Sequence, residues 1–303
     1  MIIIGSGPGG YLSAILSARK GLSAAVIEKA ELGGTCLNRG CIPTKALLQE
    51  ASLYEAFEKS GLTRDDSDRI LYFKKTFEKK SAAVDQVVSG LRNLLNRDRI
   101  TLIEGEASFV APYTLDVRED GRVKETIKSD RIIIATGALP KEEDNVKRDG
   151  RWVMGSDDVL KMVDLPLTMA IVGGGRRGLE FATLFNTFGV KVTLLEKENR
   201  ILPKMDREIS VRYRGWLTKR GIKLLTETEV LSAEALGQNR PLVLEVLHKG
   251  KKERLEFERL LMVADRRANI DGLNIERASV TLKEGFVPVD PHMKTSSPGI
   301  YAV

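Results

Sequence analysis

Cys36 and Cys41 are the only thiols in 303 residues, and they stand five positions apart in the stretch GGTCLNRGCIPTK. Three chemistries compete for such a pair. Zinc sites usually take four ligands, and the only histidines, His248 and His292, lie far off in sequence, so no metal site is expected. A buried structural pair is compatible with the composition, but nothing in it favours such close spacing. A redox pair explains more. Cys41 stands just before a helical run, where the positive end of the helix dipole stabilises a thiolate. Pro43 falls near the first turn, where a missing N–H costs little. Lys45 follows Cys41 by one helical turn and adds positive charge on the same face. These residues permit a thiolate nucleophile working beside a cofactor.

Two copies of a βαβ pattern frame the pair. Residues 2–29 (IIIGSGPGGYLSAILSARKGLSAAVIEK) align without a gap on residues 170–197 (AIVGGGRRGLEFATLFNTFGVKVTLLEK). Gly5, Gly7, Gly10, Gly21 and Glu28 meet Gly173, Gly175, Gly178, Gly189 and Glu196. Each copy reads as a buried strand, a G-x-G-x-x-G turn opening a helix, and a second strand ending in Glu. The first glycine allows the tight turn, the second lets the backbone approach a pyrophosphate, and the third lets helix and strand pack closely. The helix N-terminus offers N–H groups to phosphate, and the terminal Glu accepts from a ribose hydroxyl. Two such copies imply two bound dinucleotides. Residues 44–60 and 70–97 read as helices, the second carrying an apolar stripe through Ile70, Phe73, Phe77, Val84, Val87, Leu91 and Leu94. Residues 101–127 read as a β-meander, 131–140 as a strand with a glycine turn, and 287–303 as ending in a strand.

The composition narrows the class. Hydrophobic residues make up 42% and charged residues 30%, as in soluble globular proteins. No apolar run approaches the roughly 18 residues of a membrane span, and only four residues precede the first glycine, so neither membrane nor secretory signal is expected. The chain is expected to be cytoplasmic, where a close thiol pair is more often catalytic or metal-binding than structural. The net charge is +6, but Lys and Arg are spread among Asp and Glu with no basic block, so no nucleic-acid partner is expected.

On these motifs the sequence resembles the pyridine nucleotide–disulfide oxidoreductases over its whole length. GGTCLNRGCIPTKALL is closer to the dihydrolipoyl dehydrogenases than to glutathione or mercuric reductases. Ala135-Thr136-Gly137, Gly178-Leu179-Glu180 and HMKTSSPGIYA support the match. The resemblance implies an α/β fold of two Rossmann-like domains of the three-layer ββα type. An FAD domain of residues 1–144 plus 266–303 would hold an inserted NAD domain of residues 145–265, with a crossing in the polar loop 141–151. Gly5, Gly7, Gly10, Glu28, Gly34, Thr35, Lys45, Gly137 and the backbone of Ala107 would hold FAD. Gly173, Gly175, Gly178, Glu196 and the backbone of Val230 would hold NAD. Glu180 would sit by the nicotinamide and pair with Lys45. Cys36 would exchange with a dithiol substrate, a lipoyl group in this family, and Cys41 would face the flavin.

Three departures from the family pattern stand out. Arg176-Arg177 replaces an apolar pair, and two cations at a helix N-terminus oppose its dipole unless an anion is present. In Val263-Ala264-Asp265-Arg266-Arg267-Ala268-Asn269, Asp265 and Ala268 replace a glycine and a proline. The third is the end at Val303, where the family continues into a domain that forms the homodimer interface and supplies a His–Glu acid–base pair. A fragment or a natural truncation lacking that domain is therefore expected, with His248 and His292 as surface residues. Two other functions stay open at this stage. One is a degenerate dinucleotide-binding module without turnover, and the other an NADH diaphorase serving quinones or dyes.

Overall fold

The computed structural model describes residues 1–62, 65–141, 145–235, 237, 241–263 and 265–303. Residues 142–144 of the expected domain crossing and Ala264 lie outside them. By packing, the chain divides into two units. The first comprises Met1–Ile42, Ala83–Pro140 and Arg266–Val303, and the second Pro43–Ala82 and Lys141–Asp265.

Both sequence repeats fold as expected. In the first unit β1 (Ile2–Ile4) leads through Gly5–Gly7 into α1 (Pro8–Arg19) and on to β2 (Ala25–Glu28). Then come α2 (Gly34–Asn38), α3 (Cys41–Lys59), α4 (Asp66–Arg97) and β3 (Thr101–Glu104). The antiparallel meander β4 (Glu106–Ala111), β5 (Thr114–Glu119) and β6 (Arg122–Lys128) follows, then β7 (Ile132–Ile134) and β8 (Ala138–Pro140). In the second unit come β9 (Val153–Gly155) and α5 (Ser156–Val159), then the second repeat as β10 (Thr168–Val172), α6 (Arg176–Thr187) and β11 (Lys191–Glu196). After α7 (Arg207–Lys219) and β12 (Lys223–Thr226), a second meander forms from β13 (Thr228–Ala235), β14 (Leu242–His248) and β15 (Lys251–Phe257). β16 (Arg259–Met262) closes that unit, and β17 (Arg266–Ala268) and β18 (Ile300–Ala302) belong to the first.

Each unit has a five-stranded parallel sheet, β18-β7-β1-β2-β3 in one and β12-β11-β10-β16-β9 in the other. Side-chain alternation makes each sheet the middle of three layers. Ile2 and Ile4 pack with Phe109, Leu115 and Val117 of the meander, while Ile3 packs with Ala14, Ile15, Leu91 and Leu95 of the helices. The second unit repeats this: Ala170 joins Leu242, Leu244 and Val246 of its meander, and Ile171 joins Leu179, Ala182 and Phe185 of α6. This is the ββα layering that the resemblance implied.

Some elements depart from expectation. β3, read as the start of the meander, pairs parallel with β2 instead, because it follows α4 as a crossover strand. Residues 43–82, expected with the first domain, pack in the second unit. Leu47, Ala51, Tyr54, Phe73 and Phe77 all fill its core, with Tyr54 and Phe73 at 5.0 and 5.2 Å from the Phe188 ring. The α4 stripe is correspondingly divided: Phe73 and Phe77 serve the second core and Leu91 the first, while Ile70 and Val87 are exposed. His292 is exposed, but His248 is only half-exposed, and its Nδ1 meets the Thr228 hydroxyl at 2.7 Å.

An ion-pair network ties three helices of the second unit. Glu55 of α3 accepts two hydrogen bonds from the Arg220 guanidinium, at 3.0 and 3.1 Å, and one from Lys59 at 2.9 Å. Arg220, just past α7, also donates to the Thr187 hydroxyl at the end of α6. The Arg220 and then the Lys59 hydrogen bonds hold the Glu55 carboxyl down at about 2. Its folded value lies below its unfolded one, so the stabilisation is present above about pH 4.5 and fades as pH falls toward 2. Glu55→Gln is expected to cost about 1–2 kcal/mol at pH 7, discounted because the Glu55 side chain is 26% exposed. Thermal melts from pH 7 to 3 check this: the gap between variant and parent narrows with acid, and a constant gap would refute the assignment.

Candidate functional site: two phosphate turns and a thiol pair

The first and third glycines of each turn show the tight turn and the close packing read from their spacing. Gly5 and Gly173 sit at φ +98° and +108°, in the left-handed region that L side chains resist. A Cβ on Gly10 would overlap the Gly5 carbonyl oxygen, and one on Gly178 would overlap that of Gly173. These four glycines are demanded by the fold. Gly7 and Gly175 are not. Each caps its helix in extended backbone, and a Cβ there would meet nothing within 4 Å. Their lack of a side chain fits the close approach of a ligand. Neither α1 nor α6 has a side-chain cap at its N-terminus, which suits a phosphate acceptor there.

The terminal glutamates are built into the turns. Glu28 accepts from Ser6 N at 2.8 Å and Ala30 N at 2.9 Å, and Glu196 accepts from Gly174 N at 2.6 Å and Glu198 N at 2.8 Å. Each carboxylate is thereby held at the edge of its glycine turn, where a ribose hydroxyl can donate to a remaining lone pair. Ala107 is buried on β4 and Val230 is half-buried on β13, the first strand of each meander.

Ser6 is a residue the sequence reading missed. Fully buried, it donates its hydroxyl to Glu28 Oε2 at 2.6 Å and accepts from Gly33 N at 2.9 Å. Gly34, at φ +57°, lies so near that a Cβ on it would be 3.0 Å from Gly7 Cα. The cysteine-bearing segment is thereby locked onto the first phosphate turn. The signal was present in sequence: the first turn reads G-S-G where the second reads G-G-G. Asn269 was also missed. Its side chain donates to Thr136 O at 3.1 Å and its N–H to Gly137 O at 3.0 Å, fixing the Ala135-Thr136-Gly137 segment against which Gly5 turns. The Arg266 guanidinium donates to the Ala138 carbonyl in the same ribbon.

Thr35 and the partly buried Cys36 lie on α2, and the exposed Cys41 is the first residue of α3. The helix expected after Cys41 thus starts at Cys41 itself, with its thiol at the N-terminal end of a 19-residue dipole. In the second unit the exposed Lys45 of α3 meets Glu180 of α6, Nζ to Oε1 2.6 Å. This is the contact the resemblance implied across 135 residues of sequence. Arg176 is exposed at the first position of α6, and Arg177 is half-exposed. Asp265 is exposed and does not adopt positive φ, so it carries no left-handed strain in place of the expected glycine. Among the described residues no helix is long and apolar enough to cross a membrane, and no group of three His, Cys, Asp or Glu could hold a metal.

A duplicated ββα fold of the dinucleotide-binding kind, with the segment that carries the thiol pair joined to its first glycine turn through Gly33 and Gly34, defines a tandem-nucleotide redox class. Comparison with known proteins places it further. The family model for pyridine nucleotide-disulphide oxidoreductases matches residues 1–303, and the chain belongs to that family. It is 35% identical over 312 residues to a dihydrolipoyl dehydrogenase of Bacillus subtilis (strain 168), covering 100% of this chain and 66% of the relative. A dihydrolipoyl dehydrogenase of Chlamydia trachomatis serovar D is 33% identical, with 64% of its length covered. The chain thus spans just under two thirds of these relatives. Among solved structures it is similar to the HOCl-induced flavoprotein disulfide reductase RclA from Escherichia coli, with a TM-score of 0.84 and 28% identity. That match covers all of this chain and 65% of the other.

Proposed function

We propose that this chain carries the FAD site, NAD site and redox disulfide of a dihydrolipoyl dehydrogenase-type oxidoreductase. The observation that carries the reading is the hydrogen-bonded run Gly33 N–H to Ser6 hydroxyl to Glu28, which joins the thiol segment to the first phosphate turn. A thiol pair needs no such attachment unless it works beside what the turn holds.

Gly5, Gly7, Gly10, Glu28, Gly34, Thr35, Gly137 and the Ala107 backbone would bind FAD, with Lys45 near its ring. Gly173, Gly175, Gly178, Glu196 and the Val230 backbone would bind NAD. FAD supplies two-electron chemistry between a dithiol and the nicotinamide when bound. Cys36, in this reading, attacks or releases the substrate sulfur, and Cys41 holds the thiolate at the α3 N-terminus. Lys45, neutralised in part by Glu180, adds positive charge one turn beyond Cys41. Glu196 prefers an unphosphorylated ribose, since its charge repels a 2′-phosphate. The substrate is a small or protein-bound dithiol, with a lipoyl group first among candidates, and the compartment is the cytoplasm.

The test is the visible spectrum of the purified 303-residue chain before and after anaerobic NADH. Flavin bands that bleach, or gain a long-wavelength shoulder, are expected. A chain that stays colourless with added FAD would overturn the proposal.

A further inference from the structure

Ser6 stands between a carboxylate and the thiol-bearing loop, and only the first of the two glycine turns has such a residue. Its buried hydroxyl spends its one donor on Glu28 Oε2, at 2.6 Å, and accepts from Gly33 N at 2.9 Å. The loop that begins there is closed on itself around Cys36. The Asn38 side-chain amide donates back to Leu32 O at 2.9 Å and to Gly34 O at 3.0 Å. A Cβ on Gly33 would overlap the Leu37 side chain, and one on Gly40 would lie 2.8 Å from Thr35 O, so neither side of Cys36 has slack. In the second copy Gly174 takes the place of Ser6. A Cβ there would stand 2.8 Å from Glu196 Oε2 and 3.0 Å from Ile201 Cγ2, so a serine would be crowded. No thiol follows that copy. The hydroxyl occurs where the thiols occur.

We propose that Ser6 is a positioning residue that links ligand affinity at the first glycine turn to the redox state of the thiol pair. This rests on the reading of that turn as the FAD site. The structure holds Cys36 and Cys41 as two thiols, with the run from Gly33 through Ser6 to Glu28 complete. Oxidation replaces two S–H bonds with one S–S bond. Two electrons and two protons pass to a small-molecule disulfide, which leaves as two thiols. The new bond draws the sulfurs to about 2.05 Å. Arg39 N bonds to Thr35 O at 2.8 Å, tying the end of α2 to its start, so the pull on Cys36 falls on the head of the loop at Gly33. Ser6 passes it to Glu28, whose other oxygen, Oε1, accepts from Ala30 N. Glu28 then meets a ribose less well, and FAD binds more weakly to the disulfide form. By linkage the effect is reciprocal, and bound FAD favours the dithiol by the same factor.

The experiment measures the FAD dissociation constant of the 303-residue chain by flavin fluorescence, anaerobically, for its dithiol and disulfide forms. Dithiothreitol, removed before titration, gives the first form and oxidised glutathione the second. Visible absorbance checks that the flavin stays oxidised. The dithiol form is expected to bind FAD at least about 5-fold more tightly. In Ser6→Ala the two forms are expected to bind alike. Ser6→Gly, which gives the first turn the G-G-G of the second, is expected to do the same and carries the test should Ser6→Ala fail to fold. A residue that only fills space would weaken both forms together and keep their ratio. A ratio near one in the parent, or the parental ratio kept in a folded variant, would therefore overturn the proposal. A parent that binds no FAD in either form would sink the reading of the first turn and the linkage with it, whereas equal binding by the two forms would sink the linkage alone.

Discussion

Gly7→Ala should give a chain that folds normally and has lost its flavin, whereas Gly10→Ala, three residues on, should fail to reach a stable fold. The two glycines belong to one motif but answer to different constraints. At Gly10 the added methyl would overlap the Gly5 carbonyl oxygen, a backbone atom fixed by the β1 turn. Neither helix nor strand can yield without breaking the packing of Ile3 against α1. Overpacking of this kind costs about 3 kcal/mol or more, a large part of the 5–15 kcal/mol that typically separates folded from unfolded states. At Gly7 the backbone is extended, φ −65° and ψ −179°, which alanine adopts freely, and its Cβ would enter open space. Stability should change by less than about 1 kcal/mol. On the proposed reading the same methyl stands where a pyrophosphate approaches, so affinity should fall by at least about 100-fold. Thermal melting reports the fold, and the ratio of flavin to protein absorbance reports the site. A Gly7→Ala chain that retained flavin with parental affinity would show that the first turn does not hold the pyrophosphate. Gly175→Ala and Gly178→Ala should separate in the same way for the nicotinamide dinucleotide, because their surroundings repeat those of Gly7 and Gly10.

Replacing Cys41 with serine should halve the electron capacity of the flavin-loaded chain. A disulfide takes two electrons and a flavin two more, so anaerobic dithionite titration of the parent should end at about two equivalents and that of Cys41→Ser at about one. The variant should also lose any long-wavelength absorbance between thiolate and flavin on partial reduction, while keeping its flavin. Cys41 lies outside the phosphate turns and is exposed at the head of α3, so its loss removes neither turn nor core. Dithiol-dependent reduction of NAD should fall by at least about 10³-fold, because the two sulfurs act as one unit. Equal titration end points for parent and variant would mean that the pair does not exchange electrons with the bound cofactor.

Much of this was legible in the residues because the constraints behind it are local. A left-handed turn, a helix start against a carbonyl and a carboxylate closing the second strand onto the turn each need a particular residue at a particular spacing, and the repeat writes all three twice. The thiol pair and the helix after it are equally local, since Cys41, Pro43 and Lys45 share the first two turns of α3. Two G-x-G-x-x-G turns, a close thiol pair after the first and the buried strands on either side of each turn could all be read from the residues. Tertiary structure decided what no short window contains. An apolar helix face does not name its partner, so Leu47, Tyr54, Phe73 and Phe77 went to the second core, and the apolar stripe along α4 was shared between two. Ser6 is an ordinary small residue until the fold carries Gly33, 27 positions away, to its hydroxyl. Turn chemistry is set by neighbours along the chain. Which side chains share a core is set by the burial of apolar faces between distant segments, and that is resolved only when the whole chain has folded.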